Sequence, residues 1–244
     1  MIRAVTLDFW QTLLADTPDN LARATSLRLD GVRAGLARGG HPVEPDVIAA
    51  AYEASGRRLG EIWREHRDLP HREQVAVFLD AIAPGLSGRL TADAFEEAVQ
   101  AYITPVLRYP PVPSPGAVEV VHALARQGVV LCVVSNTGRT PGVILRQVLA
   151  GFGLLEHFRV TSFSDEVGLR KPRREIFELT LARAGVEPAR AVHVGDTAAE
   201  DIVGARAAGM RAIHFVPDGH SASEAADLVL HDLGALPGAL ARLV

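Results

Sequence analysis

The sequence has little of what marks several common classes of protein. It has a single cysteine, Cys132, so no disulfide can form within the chain, and a reducing compartment suits it. No apolar run approaches the ~18 residues of a membrane-spanning helix. The net charge of −4 leaves no basic excess for nucleic acid. We therefore expect a cytoplasmic protein that neither spans a membrane nor binds nucleic acid.

Lysine is the scarcest charged residue. Lysine and arginine together number 25, and Lys171 is the only lysine. Arginine therefore supplies the other positive charges of this sequence. A lone lysine in that background indicates a position where the planar, forked guanidinium group would not serve.

The first half of the sequence changes from a strand pattern to a helical one. Residues 4–7 are a short apolar run typical of a buried strand, and Asp8 follows them. Between residues 18 and 105 only helices are predicted, over 18–38, 46–67 and 71–82 and from Thr91 onward. Residues 109–115 hold four of the 15 prolines and are predicted to form a stiff linker.

From residue 116 the chain alternates between predicted helices and strands, with strands at 129–134, 158–161, 191–194, 211–216 and 227–230. Such alternation predicts a parallel sheet with right-handed crossovers. The predicted fold is α/β, a Rossmann-like doubly wound parallel sheet with an inserted four-helix cap. The predicted boundaries are 1–15 and 108–244 for the core domain and 16–107 for the cap domain.

Polar clusters follow the predicted strands, at the edge where open parallel sheets bind ligands. Each cluster alone is more simply a turn, a helix cap or a surface charge. Together they supply a carboxylate nucleophile, an anion nest, a fixed positive charge and further carboxylates suited to Mg²⁺. That is the equipment of phosphoryl transfer. The clusters are Asp8 to Thr12, Ser135 to Gly138, Lys171 before Pro172, and Gly195 to Asp201.

This set of motifs resembles the haloacid dehalogenase superfamily of hydrolases, and the helical insertion is similar to that family's helical cap. The resemblance covers the predicted core and implies a role for each matching residue. Asp8 would be the nucleophile that forms an aspartyl-phosphate, and Thr12 would hydrogen-bond near it. Ser135 and the backbone amide of Asn136 would hold the transferring group, and Lys171 would bridge that group to Asp8.

The resemblance also implies a Mg²⁺ cofactor. Its ligands would be Asp8, the Trp10 carbonyl oxygen and Asp196, with Asp201 beside them. Trp10 would in addition contact the substrate, and here the sequence departs from the family's phosphatases. They carry a second aspartate at this position as general acid and base, a function typically worth ~10²–10⁴ in rate. Indole does not exchange protons near neutral pH.

Three hypotheses about function follow. The first is a Mg²⁺-dependent hydrolase, most simply a phosphatase of a small phosphorylated metabolite, acting as a monomer or homodimer. The second is a metal-independent 2-haloacid dehalogenase, because those relatives carry an aromatic residue at the position of Trp10. The third is a catalytically weak protein that binds phospho-ligands or partners. The carboxylate cluster favours the first, since a cation relieves the repulsion among its charges.

Some side chains of the helical insertion and the segment before it are candidates for the missing acid and base: Asp16, Asp19, His41, Glu65, His66, Asp68 and His71. A solvated helix face is the simpler interpretation of the arginine cluster, although it could contact an anionic substrate. That cluster is Arg57, Arg58, Arg64 and Arg67.

Overall fold

The computed structural model describes residues 1–217 and 222–243. Its strands are β1 (Ala4–Leu7), β2 (Leu14–Ala15), β3 (Val112–Pro113), β4 (Val130–Ser135), β5 (Phe158–Phe163), β6 (Ala191–Gly195), β7 (Arg211–Phe215) and β8 (Leu228–Leu230). Six of them form one parallel sheet in the order β5-β4-β1-β6-β7-β8. The predicted parallel α/β sheet is thereby confirmed.

Helices divide between the insertion and the core. The insertion contains α1 (Pro18–Arg38), α2 (Pro45–Arg64), α3 (His71–Ile82), α4 (Leu86–Arg89) and α5 (Ala92–Ile103). The core contains α6 (Ala117–Arg126), α7 (Gly142–Gly151), α8 (Ser164–Val167), α9 (Arg174–Ala184), α10 (Val203–Ala207) and α11 (Leu236–Arg242). No helix of the described segments is both long and apolar enough to cross a membrane.

Strand β4 shows why the sheet is covered on both faces. Successive side chains of a strand point to opposite faces of the sheet. Leu131 and Val133 pack in the apolar cluster that also holds side chains of α6, α7 and α11. Cys132 and Val134 pack in the other cluster, with side chains of α9 and α10. The sheet is therefore doubly wound, as predicted, and Cys132 is a buried core residue.

The helical insertion differs from the prediction in two places. Four of its helices have 12 residues or more, as expected, but the four-residue helix α4 was missed. The prediction also extended α2 to residue 67, whereas it ends at Arg64. The chain turns at His66, whose φ is 54°, and Arg67 then forms an isolated antiparallel bridge with Leu169 of the core. A tertiary pairing thus ends a helix that local periodicity would continue.

The predicted linker over 109–115 contains a short strand instead of running free. Val112 and Pro113 pair antiparallel with Ala15 and Leu14. The chain therefore enters and leaves the helical insertion through one two-stranded ribbon. A pairing of two residues a strand has no periodicity to detect, which is why the sequence did not reveal it. The domain boundaries themselves stay a prediction.

Candidate active site

The centre of the sheet brings three sequence-predicted site residues to one edge. Strand β1 lies between β4 and β6, and all three run in the same direction. Asp8, Ser135 and Asp196 therefore come to the same edge, at or just beyond the strands' carboxyl ends. The Asp8 amide donates to the Val194 carbonyl over 3.0 Å, which ties the start of the Asp8 loop to β6.

Lys171 completes the charged centre from the loop after α8. Its ammonium nitrogen lies 2.7 Å from Oδ1 of Asp8 and 2.5 Å from Oδ1 of Asp201. The side chain is buried. Burial alone would lower the pKa of Lys171, but the two carboxylates outweigh it and raise that pKa. The lone lysine of the chain is therefore a fixed positive charge between two carboxylates.

Asn136 holds the backbone of Lys171 with its side chain. Its Oδ1 accepts from the Lys171 amide over 2.8 Å, and its Nδ2 donates to the Lys171 carbonyl over 3.1 Å. Nδ2 also donates to Oε2 of Glu200 over 2.8 Å. The resemblance assigned a role to the Asn136 backbone amide. This side-chain role, and the part of Glu200 in it, were not visible in the sequence.

Asp201 is surrounded by hydrogen-bond donors. Its Oδ1 meets both Lys171 and Nε2 of His193, the latter at 3.0 Å, and its Oδ2 accepts from the Thr197 amide over 2.9 Å. Burial raises the pKa of Asp201, but Lys171 and His193 lower it further, so the net shift is downward. Asp201 is therefore an anion whose oxygens are occupied, which suits it to orienting Lys171.

A π-helical turn, Ala198–Ile202, gives Asp201 this position. Such turns are frequent at functional sites because they displace one side chain from the helical pattern. The Asp201 side chain then lies so close to Gly195 that a Cβ there would come within 2.2 Å of its Cγ. Glycine at the end of β6 is thus required by this packing. The helix predicted over 199–208 is in fact this turn followed by α10.

His193 supports the same carboxylate from within β6. Its Nδ1 lies 2.7 Å from the Thr6 hydroxyl, and both side chains are fully buried. Both ring nitrogens are satisfied when Nε2 donates to Asp201 and Nδ1 accepts from Thr6. The sequence did not reveal this pair. Thr6 and His193 lie on different strands far apart in sequence, and no local pattern links them.

The carboxylates form a group that fits a hard cation. Asp8, Asp196 and Asp201 each place an oxygen within 4.8 Å of the others. Oδ1 of Asp8 is buried and accepts no well-aligned hydrogen bond from the described residues, since its contact with Lys171 is an ion pair outside hydrogen-bond geometry. Burial and the negative charges of Asp8 and Asp201 raise the pKa of Asp196 to about 7. Three carboxylates here share the one ammonium of Lys171, and the excess of negative charge is what an oxygen-liganded Mg²⁺ relieves.

The remaining predicted residues lie around this centre. Thr12 is buried, and its hydroxyl reaches Oδ1 of Asp196 over 3.5 Å. Burial raises the pKa of Asp8, while Lys171 and the Ser135 hydroxyl oppose that shift. The carbonyl oxygen of Trp10 accepts no hydrogen bond from any described residue, so it is available as a ligand. The predicted side chains of Asp8, Thr12, Ser135, Lys171, Asp196 and Asp201 are thus brought together.

Trp10 packs its ring edge-on against Phe9, with the centroids 4.8 Å apart. It also lines a cavity of about 370 Å³ between the helical insertion and the core. Asp16 lines the same cavity, and it is half-buried with a pKa that burial raises and Arg28 opposes. Asp16 is therefore the acid and base candidate that the structure places beside Trp10.

Asp68 is excluded as an acid or base by its hydrogen bonds. It accepts from Nε1 of Trp63 over 2.8 Å, from the Ser164 hydroxyl over 2.5 Å and from Nη1 of Arg170 over 2.6 Å. Thr137 adds a longer contact of 3.4 Å. We call Asp68, Thr137, Ser164 and Arg170 the Asp68 network. It joins the helical insertion to the loop that carries Lys171, and the sequence did not predict it.

The other candidates from the helical insertion have simpler explanations. Glu65 is exposed and pairs with Arg67. His66 lies at the turn after α2, where its carbonyl accepts from the Arg170 amide over 3.1 Å. In the predicted arginine cluster, Arg58 is exposed and pairs with Glu61. These are solvated surface contacts or backbone contacts, and none of these side chains lines the cavity next to Trp10.

The fold and the site define a hydrolase built on a doubly wound α/β core. A family model described as haloacid dehalogenase-like hydrolase matches residues 2–209. Phosphoserine phosphatase of Thermus thermophilus is 31% identical over 230 residues, which are 87% of this chain and 88% of that protein. The chain belongs to the haloacid dehalogenase-like hydrolase family.

Two solved structures are similar over nearly their whole length. A 2-haloacid dehalogenase from Pseudomonas syringae pv. Tomato DC3000 has a TM-score of 0.74 at 27% identity, with 100% of both chains covered. A HAD phosphatase from Thermococcus onnurineus has a TM-score of 0.63 at 26% identity, with 98% of both chains covered. The fold thus has both dehalogenase and phosphatase neighbours. Only the residues of the site can distinguish the two activities.

Proposed function

We propose that this protein is a Mg²⁺-dependent hydrolase of small phosphoric monoesters with Asp8 as its nucleophile. The observation that carries the proposal is the group of three carboxylates, Asp8, Asp196 and Asp201, around the buried ammonium of Lys171. Halide displacement needs Asp8 as nucleophile but no cation, so it leaves the gathering of three carboxylates unexplained, whereas phosphoryl transfer needs positive charge at that point. The phosphatase relatives support the same assignment.

The chain's own residues divide the work of the reaction. A carboxylate oxygen of Asp8 attacks phosphorus, and the bond to the leaving oxygen breaks with its electron pair on that oxygen. Lys171 neutralises charge on the phosphoryl oxygens and on Asp8. Ser135 and the Asn136 amide orient the group. Water then attacks the phosphorus of the aspartyl-phosphate, which releases phosphate and restores Asp8.

The cation would be held by Asp8, Asp196 and the carbonyl oxygen of Trp10, with Asp201 beside them. When bound, Mg²⁺ supplies Lewis-acid charge stabilisation to the phosphoryl oxygens. Asp201 has both oxygens occupied by Lys171, His193 and the Thr197 amide. We therefore assign Asp201 chiefly to orienting Lys171.

The dehalogenase reading is the second candidate, because of Trp10 and of the neighbour with the TM-score of 0.74. In that reading Asp8 would displace halide from a 2-haloacid, and neither a cation nor a general acid would be needed. Asp196 then has no function, and no cation relieves the repulsion among the three carboxylates. This conflict is why the phosphatase proposal ranks first.

The test is a rapid time course of p-nitrophenyl phosphate cleavage at high enzyme concentration, with Mg²⁺ and with a chelator. Release that needs Mg²⁺ and is lost in Asp8→Asn and Asp196→Asn supports the proposal. Halide release from 2-chloropropionate that is indifferent to the chelator would replace it with the dehalogenase. Folded protein that does neither would be a phospho-ligand or partner-binding protein, and Asp8→Asn would then leave ligand affinity intact.

A further inference from the structure

Besides the carboxylate centre, the structure has a cavity whose lining includes charged side chains from both the helical insertion and the core. It has a volume of about 370 Å³ and lies between the helical insertion and the core. Trp10 belongs to its lining and is two residues after the nucleophile Asp8. Gly138 and Arg139 also line it, and they follow directly on the loop of Ser135 and Asn136. The two loops that hold the phosphoryl group thus continue into this cavity.

Arg28 extends from α1 into the cavity lining, although it is only 3% exposed. Its Nε donates to the Tyr102 carbonyl over 2.7 Å, and its Nη1 donates to the Tyr52 hydroxyl over 2.8 Å. Its Nη2 has no acceptor among the described residues. This nitrogen is also not fully buried, so a ligand can reach it. Arg28 is therefore held in place with one nitrogen left available to the cavity.

Arg139 contributes a second guanidinium from the core side. Its Nη1 donates to the Tyr102 hydroxyl over 2.6 Å, its Nη2 donates to the Tyr52 carbonyl over 2.6 Å, and its Cζ lies 3.6 Å from the centre of the Tyr52 ring. Gly56 makes room for it, since a Cβ there would come within 2.5 Å of Nη2. Both cations are thus fixed by neutral groups.

The charge of this cavity is unbalanced, in contrast to the other buried cations. Arg170 pairs with Asp68, and Lys171 pairs with Asp8 and Asp201. Within the described ranges, Arg28 and Arg139 have no carboxylate inside the 4.0 Å of an ion pair. Asp16 is the one acidic residue in the lining. One buried and one half-buried guanidinium group thus share a single carboxylate, and this excess of positive charge indicates a ligand that brings the missing negative charge.

We propose that this cavity binds a second anionic group, a carboxylate or a phosphate, on the leaving-group side of the substrate. The inference rests on the proposed function, because it takes Asp8 as the place where the phosphoryl group reacts. The substrate class is then a phosphoric monoester whose leaving group carries a carboxylate or a second phosphate. Arg28 is the specificity-determining residue, through Nη2, and Arg139 adds charge from the opposite wall.

The test compares two ligands that differ only in the anionic group: 2-phosphoglycolate and ethyl phosphate. Both are titrated calorimetrically into Asp8→Asn with Mg²⁺ present, so that binding is read without turnover. We expect 2-phosphoglycolate to bind about 10- to 100-fold more tightly, as one charge-assisted hydrogen bond to a fixed guanidinium warrants. Ethylene glycol bisphosphate replaces 2-phosphoglycolate in a second arm and separates a carboxylate site from a phosphate site.

Variants in the same background assign the preference to the cavity. Arg28→Met should bring the affinity ratio of the two ligands close to one. Asp16→Asn should raise the ratio, since it removes the competing negative charge and leaves the hydrogen bonds of Arg28 in place. Arg33→Met is the matched control, because Arg33 lies on the same helix, is half-exposed, pairs with Asp30 and does not line the cavity. It should leave the ratio unchanged.

The outcomes for the inference and for the proposed function are separate. Equal affinities of the two ligands for Asp8→Asn overturn the inference, whatever Arg28→Met does, and so does a failure of 2-phosphoglycolate to bind. Wild-type protein is assayed in parallel for phosphate release from both ligands and from p-nitrophenyl phosphate, whose leaving group needs no general acid. Release together with equal affinities removes the inference alone. A preference for 2-phosphoglycolate without release of phosphate from any of the three compounds removes the hydrolase proposal alone.

Discussion

At the scale of single residues, the geometry around Lys171 explains why this position has a lysine. Arginine supplies every other basic side chain, yet this position has a lysine. The ammonium lies 2.7 Å from one carboxylate and 2.5 Å from another, and no solvent surrounds it. A guanidinium is larger and planar and fixes its donors in a fork. The space between Asp8 and Asp201 therefore selects a compact charge.

We predict that Lys171→Arg folds but lowers kcat by about 100-fold or more, the loss typical of a removed electrostatic donor. The positive charge is kept, so the loss would come from misplacement of that charge. Steady-state hydrolysis of p-nitrophenyl phosphate measures it, and near-ultraviolet circular dichroism checks the fold. An arginine variant as active as its parent would show that only the sign of the charge counts.

Trp10 leads to a kinetic prediction. p-Nitrophenolate needs little protonation to leave, so the first half of the reaction should proceed without a general acid. The water attack on the aspartyl-phosphate should then be slow. We predict a burst of nitrophenolate equal to the enzyme concentration, followed by slow turnover, in a stopped-flow record.

Trp10→Asp should raise the slow rate at least about tenfold, since a carboxylate here can activate water. Trp10→Asn is its control, because it shortens the side chain equally without a group that exchanges protons. A linear record from the first turnover would contradict the burst. A Trp10→Asp rate no higher than that of Trp10→Asn would contradict the assignment of the missing base.

At the scale of elements, the segment between α2 and α3 connects the helical insertion to the reaction centre. The Asp68 amide donates to the Gly168 carbonyl over 3.1 Å, and the Arg170 amide donates to the His66 carbonyl over 3.1 Å. Between these backbone bonds lies the buried ion pair of Asp68 and Arg170. The loop that ends at Lys171 is therefore supported from the insertion as well as from the core.

We predict that Asp68→Asn lowers the free energy of unfolding by about 3–5 kcal/mol, because it leaves the Arg170 charge buried without its partner. Urea unfolding measures the loss. Asp46→Asn, exposed in the first turn of α2, is the control and should cost less than about 1 kcal/mol. Asp68→Asn should also lower kcat through the loosened Lys171 loop, and unchanged kcat would mean that the network serves stability alone.

The stability of the protein should depend on pH through Asp165, which binds the amino end of helix α7. Oδ1 of Asp165 accepts from the Gly142 amide over 3.0 Å, and Oδ2 is buried without a donor among the described residues. Burial raises the pKa of Asp165 from 3.8 to about 6, Gly142 opposes this, and the charges of Glu166 and Asp68 add to it. The folded chain therefore binds more protons than the unfolded chain between about pH 4 and 6.

The contribution of Asp165 to stability is thus largest below pH 4 and is lost as the pH rises through about 6. We predict that the difference in unfolding free energy between wild type and Asp165→Asn shifts by about 3 kcal/mol in favour of the variant from pH 4 to pH 8. Urea unfolding of both proteins at each pH gives this difference. A difference that does not change with pH would mean that Asp165 stays ionised.

At the scale of the whole molecule, the alternation of strands and helices was enough to predict the doubly wound sheet. The motifs pointed to Asp8, Lys171 and Asp196, and the structure brings these side chains together at the carboxyl edge of the sheet, while their roles stay a proposal. The contacts of Arg28, His193 and the Asp68 network could not be predicted from the sequence. Each acts through a partner that is distant in sequence, and no local pattern marks a polar side chain on an apolar face.

The carboxylate group should also link stability to magnesium. A cation that binds only the folded chain stabilises it by mass action, by about 2.7 kcal/mol at 100 times its dissociation constant. We predict that Mg²⁺ raises the melting temperature of the wild type above its value in a chelator, and that Asp196→Asn abolishes this shift. Differential scanning calorimetry measures it. An equal shift in both proteins would place the cation elsewhere.

Lys171 has a practical consequence for chemical labelling. An acylating reagent that attacks amines finds only this one side-chain amine in the whole chain, and finds it buried and held between two carboxylates. Its modification requires the surrounding structure to open and expose the ammonium first. The rate of acylation of the Lys171 amine, measured by mass spectrometry, therefore reports the rate at which the structure opens. No engineered probe is needed.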